Sequence, residues 1–173
     1  IGLILVNINP AYRLAELEYA LNKVTCKAII IAENFKTSEY LKMIRELAPE
    51  LENCAPGKLM SSKLPHLKTV IVMSENSGTG VIPFNDVLSI GGPAQQLRLE
   101  AIDKTLDPDD AINIQFTSGT TGVPKGATLS HHNIVNNARF VTDRINLTEM
   151  DKLCIPVPLY HCFGMVMGAL GCV

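Results

Sequence analysis

Residues 112–126 read INIQFTSGTTGVPKG. The first five alternate apolar and polar, the pattern of a half-buried strand. The next ten carry four hydroxyls, Thr117, Ser118, Thr120 and Thr121, three glycines, Gly119, Gly122 and Gly126, and one cation, Lys125. Pro124 disfavours helix at Val123. Glycines let the backbone turn tightly and bring its N–H groups to a ligand. Successive N–H groups in such a turn form an anion-binding concavity. With the hydroxyls and Lys125, the stretch suits a polyphosphate. It is not the common P-loop, which requires Ser or Thr directly after Gly-Lys. Here Lys125 follows Pro124 and precedes Gly126 and Ala127. The spacing predicts a strand at 112–116 and a returning strand at about 127–129. A loop joining two strands follows, in place of the strand-to-helix turn of ordinary P-loops.

Working outward, Ser130 stands where an oxygen can accept from the free N–H groups of a starting helix. Ile134, Ala138, Val141 and Ile145 give that helix an apolar stripe. Residues 154–158 read as a short strand between proline-rich turns, followed by LYHCFG. Upstream, residues 1–8 read as a buried strand and 13–24 as an amphipathic helix with Leu14, Leu17, Leu21 and Val24 on one face. Residues 27–32, with three consecutive isoleucines, read as a strand buried on both faces. Residues 35–48 suit a second helix closed by Pro49, and 69–73 a third strand. Strand–helix–strand order implies parallel pairing with right-handed crossovers. Residues 74–110 carry less pattern. A helical turn is expected at 85–89, and Asp107, Asp109 and Asp110 beside Pro108 read as a solvated connector. The organisation expected is an α/β layer over 1–90, a connector over 91–110, and a phosphate-loop region over 111–173.

Composition bounds the function. A net charge of −2 argues against a nucleic-acid surface as the main business. The longest apolar run, 163–173, is too short for a membrane span. Five cysteines, an odd and scattered set without a C-x-x-C pair, suggest neither a disulfide framework nor a zinc site. They fit a reducing, intracellular compartment. The adjacent His131 and His132 point to different sides of a helix and make a poor metal pair. They suit capping or surface roles, and His66 suits an exposed one. Cys162 reads as a small apolar residue rather than a nucleophile. The chain starts at Ile1 and both ends are apolar, so a piece of a longer protein is expected.

TSGTTGVPKG (117–126) resembles the phosphate-binding loop of the adenylate-forming enzymes: acyl-CoA synthetases, luciferases and the adenylation domains of peptide synthetases. Two further blocks match in order, VNINPAYRLAELEYALN (6–22) and PVPLYHCFG (156–164). The loop with its flanks (112–138) and PVPLYHCFG are most similar to mitochondrial medium-chain acyl-CoA synthetases. The resemblance implies part of the large N-terminal domain of that fold, with a parallel sheet, flanking helices and a strand-loop-strand phosphate loop. It implies nucleotide binding by Thr117, Ser118, Gly119, Thr120, Thr121, Gly122 and Lys125, with Thr120 and Lys125 catalytic. It places His161 near the acyl carboxylate, and it implies no metal ligand in this stretch.

The activity so implied is ATP-dependent conversion of a fatty acid to an acyl-adenylate and then a CoA thioester. Mg²⁺ would be carried by the ATP phosphates and coenzyme A would be co-substrate. The mitochondrial matrix is implied by the resemblance alone. The family's adenine pocket, acidic Mg²⁺ ligand and mobile C-terminal domain follow the third block, so they are expected beyond Val173. The segment alone is expected to be inactive. Three other readings remain: adenylation of an aromatic or amino acid, an NTP-hydrolysing switch, and a non-catalytic nucleotide-binding remnant. The missing hydroxyl after Lys125 speaks against the switch.

Overall fold

The computed structural model describes residues 1–75, 78–117 and 123–173 of the chain. These residues group into two units, one of residues 10–98 and one combining residues 1–9 with 99–173. The chain therefore leaves the second unit after its first strand and returns to it.

In the unit of residues 10–98, helix α1 (Leu14–Lys23) buries Leu17, Ala20 and Leu21. Its first turn is tied by the Glu16 carboxylate, which accepts from the Arg13 N–H at 3.1 Å. Strand β2 (Ala28–Ile31) pairs in parallel with β3 (Thr69–Val72), and β3 with the short β4 (Ile82–Pro83). Between β2 and β3 lies α2 (Tyr40–Leu47), shorter than expected. The α-helix ends before Pro49, as expected, and a separate 3-10 turn, Pro49–Asn53, starts at the proline, as its fixed φ permits. Leu21, Ile44, Leu47, Leu51, Leu64, Val70 and Val72 form the core. β2 differs from expectation. Ile30 is 56% exposed, so one face of the strand is uncovered in this chain. Helix α3 (Phe84–Ile90) fills the expected helical turn.

Helix α4 (Pro93–Asp103) lies within the stretch expected as a connector. Proline suits the first helical position because its missing N–H needs no partner there. The Gln95 side chain closes the turn by accepting from the Gly92 N–H at 3.1 Å. No α4 residue is buried, which explains the lack of an apolar stripe in its sequence.

The other unit is a three-stranded sheet in the order β1-β5-β6. Strand β1 (Leu5–Asn7) does not join β2, as its place in the strand–helix order suggested. It runs parallel to β5 (Ala111–Thr117), with Leu5 opposite Asn113 and Asn7 opposite Gln115. β5 pairs antiparallel with β6 (Lys125–Ser130), from Ala111 opposite Ser130 to Thr117 opposite Lys125. Helix α5 (His131–Ile145) follows without a linker. Ser130 caps it as expected: its hydroxyl accepts from the Asn133 N–H at 3.2 Å, while the Asn133 side chain accepts from the Ser130 N–H at 2.9 Å. Asn146, at φ 52°, ends the helix in the left-handed conformation that asparagine tolerates. Ile134 and Ala138 pack against Val166, with Ile112, Leu129 and Met165 around them.

Residues 154–158 do not form a strand. Pro156 and Pro158 each lack the N–H a ladder needs. The chain then enters a π-helix, Phe163–Ala169, and a 3-10 turn, Leu170–Cys172.

Candidate active site

The β5–β6 hairpin presents the candidate phosphate loop. Its last described pair is Thr117 and Lys125, both exposed. The Thr117 hydroxyl donates to the Lys125 carbonyl at 3.4 Å, so the backbone beneath the lysine is held while its ammonium stays in solvent. β6 begins at Lys125, with no helix there, as the strand-loop-strand reading requires. Gly126 lies opposite Phe116, and a Cβ at 126 would come within 3.1 Å of the Ile114 Cγ2. The other loop residues singled out from sequence, Ser118, Gly119, Thr120, Thr121 and Gly122, lie outside the described residues.

β5 alternates as its sequence suggested, but its polar side chains are the buried ones. Asn113 is 1% exposed and Gln115 4%, while Ile112, Ile114 and Phe116 are half-buried. Buried amides must find partners. Asn113 Nδ2 donates to the Leu5 carbonyl at 3.0 Å, stitching β5 to β1. Gln115 Nε2 lies 3.5 Å from the Met165 sulfur, and Asn7 Nδ2 lies 3.0 Å from the same sulfur. Asn7 Nδ2 also reaches the Leu159 carbonyl at 3.2 Å.

Those contacts hold the segment that carries His161. The His161 N–H donates to the Pro158 carbonyl at 3.0 Å, and the Met165 N–H donates to the His161 carbonyl at 3.1 Å. The Phe163 N–H donates to His161 Nδ1 at 3.1 Å. Nδ1 is thus the acceptor, and the neutral ring carries its proton on Nε2. The ring itself is exposed. Gly164 permits this turn. A Cβ there would lie 2.5 Å from both the Val157 and Pro158 carbonyl oxygens. π-helical turns occur often at functional sites.

The remaining candidates separate from this arrangement. His132 Nδ1 lies 3.1 Å from Asp109, both well exposed, and the Asp107 N–H donates to the Asp110 carboxylate at 3.1 Å. Cys162 is exposed, not packed as a small apolar residue. Cys26 is half-buried, and burial pushes its thiol up despite a bond to the Ala28 carbonyl, away from thiolate chemistry. Among the described residues no group of three or more His, Cys, Asp and Glu could hold a metal, and no helix is long and apolar enough to cross a membrane. Sequence reasoning missed Asn7, Gln115 and Met165 as parts of the site. The available signal was the pair of amide residues, Asn113 and Gln115, inside an otherwise apolar strand.

The model of the AMP-binding enzyme family matches residues 1–173. The chain belongs to that family. It is 50% identical over 171 residues to the zebrafish (Danio rerio) medium-chain acyl-CoA ligase ACSF2, mitochondrial, covering 98% of this chain. It is 46% identical over 176 residues to the human protein of the same name, covering 99% of the chain. In both cases the match spans 28% of the relative's length. Among solved structures, the anthranilate CoA ligase AuaEII in complex with anthranoyl-AMP matches with a TM-score of 0.74 at 23% identity. That match covers 99% of this chain and 29% of the other. ATP-bound MatB from Rhodopseudomonas palustris matches with a TM-score of 0.63 at 25% identity, covering 97% and 28%. The chain therefore has the fold of part of an adenylate-forming enzyme.

Proposed function

We propose that the protein containing this chain is an ATP-dependent acyl-CoA ligase acting on a medium-chain fatty acid in mitochondria. The observation that carries this reading is the hairpin. Thr117 and Lys125 stand opposed at the mouth of a hydroxyl- and glycine-rich loop, within a chain about half identical to a medium-chain acyl-CoA ligase.

The reaction has two halves. A carboxylate oxygen attacks the α-phosphorus of ATP, and the bond to the β-phosphate oxygen breaks, releasing pyrophosphate. The sulfur of coenzyme A then attacks the acyl carbon, AMP leaves, and the thiol gives up its proton. The first half brings an anion to a polyanion, so fixed positive charge and N–H donors have most effect there. In this reading Lys125, Thr117 and the loop, with Thr120 the second catalytic residue, hold the β- and γ-phosphates. His161 borders the carboxylate, with Nε2–H as its available donor. Mg²⁺ carried by the ATP would supply further charge neutralisation.

This chain carries the phosphate loop and one wall of the acid site. By itself it is expected to form no thioester, since adenylation requires the acid, phosphates and adenine to be held together. The test is acid-dependent pyrophosphate exchange by the full-length protein with acids of graded length and with anthranilate. A maximum at medium-chain acids supports the reading, and exchange only with an aromatic or amino acid overturns the substrate.

A further inference from the structure

Asn7 and Gln115 are register partners on adjacent parallel strands, and both amides converge on one sulfur, that of Met165, at 3.0 and 3.5 Å. Asn7 also reaches the Leu159 carbonyl at 3.2 Å. Leu159 and Met165 flank His161 on either side. The sheet is therefore fastened to both ends of the turn that presents the imidazole. Gln115 lies two residues before Thr117, and side chains two apart on a strand share a face. One face of β5 thus carries, in order, the grip on the His161 turn and the entrance to the phosphate loop.

We propose that Asn7 is a positioning residue: its amide, with Gln115, fixes the His161 turn relative to the phosphate loop and so sets the distance between bound carboxylate and ATP. The proposal rests on the reading of His161 as part of the acid subsite. The geometry favours positioning over mere packing. A hydrogen bond from an amide N–H to a backbone carbonyl is directional, whereas an apolar residue of like size would fill the space equally well. Thioether sulfur is a weak acceptor, so the Leu159 contact is the stronger of Asn7's two.

The test uses the full-length protein and three variants. Asn7→Leu keeps the size and removes both donors. Asn7→Asp keeps the shape, but as a carboxylate it cannot donate to the Leu159 carbonyl; protonation restores one donor. Met165→Leu keeps the volume and removes only the sulfur acceptor. Steady-state constants for acid and for ATP are measured with melting temperatures.

Loss of one to two hydrogen bonds predicts a rise of about tenfold in KM for the acid in Asn7→Leu, with that for ATP within about twofold. Met165→Leu shows a smaller rise. For Asn7→Asp, the ratio of its acid KM to that of wild type falls as the pH is lowered, which a packing role cannot produce. Wild-type exchange with equal changes in both KM values, or a pH-independent Asn7→Asp ratio, overturns the positioning role alone. A wild-type protein with no acid-dependent exchange overturns the functional reading and this inference with it.

Discussion

Thr117 and Lys125 face each other as the last described pair of the β5–β6 ladder, and the Thr117 hydroxyl anchors the Lys125 carbonyl at 3.4 Å. The lysine backbone is thereby fixed while its side chain is exposed. On the proposed reading, Lys125 acts on the departing pyrophosphate, where negative charge develops. In the full-length protein Lys125→Ala should slow adenylation by about 3 kcal/mol of transition-state stabilisation. Thioester formation from isolated acyl-adenylate should change far less. Equal slowing of the two half-reactions, timed separately, would contradict the assignment.

His161→Ala removes the acceptor for the Phe163 N–H together with the exposed Nε2 donor. The expected outcome is a larger rise in KM for the acid than for ATP. Unchanged acid kinetics with a marked fall in melting temperature would instead assign the histidine to the turn alone.

Gly164→Ala would force a Cβ to within 2.5 Å of two carbonyl oxygens. The turn must shift to accept it, at a cost of about 1–3 kcal/mol as for other overpacked sites. Chemical denaturation should show that loss. Acid-dependent exchange should fall with it, because the displaced segment carries His161.

Ser130→Ala deletes the cap of α5, and a loss of about 1 kcal/mol is expected. Ser130→Asp, which also accepts from the Asn133 N–H, should restore most of it in the same denaturation experiment.

Two carboxyl groups give a pH signature. The Thr148 N–H and hydroxyl donate to Asp151 at 2.8 and 2.9 Å and hold it below the usual carboxylate range. Glu50 is lowered in the same way, first by its own N–H and then by the Ser62 N–H. A carboxyl whose folded pKa is depressed stabilises the fold above its unfolded value, about 4, and that stabilisation fades as pH falls through the lower folded value. Asp151→Asn and Glu50→Gln should therefore melt below wild type near neutrality, and the differences should close on acidification. A difference that persists at low pH would mean that the charge is not responsible.

Features set by near neighbours in the chain were legible from sequence. The α1 stripe, the hairpin strands and the Ser130 cap each depend on residues within a few positions of one another. The partner of β1 was not, because the Leu5–Asn113 contact spans 108 positions and periodicity carries no information about it. α4 escaped because a helix with no buried residue has no apolar stripe, although Gly92-Pro93 and Gln95 marked its start. At the candidate site, the loop residues stood out by type and spacing, and His161 by resemblance alone. Asn7, Gln115 and Met165 did not, since an amide beside a thioether becomes a contact only after the strands pair.

The pairing of β1 with β5 also dictates an order of events during synthesis. β1 is made before β5 and does not find this partner until β5 has been made, and the whole of residues 10–98 intervenes. That intervening unit contains its own parallel sheet and core and can gather as soon as it is complete. Doing so draws the ends of a long loop into a compact body, which lessens the closure entropy that β1 and β5 must overcome. Within this sheet, β1 is thus made early and locked late. A nascent chain arrested before residue 111 would hold Leu5–Asn7 as an unpaired strand, the kind of edge that chaperones engage.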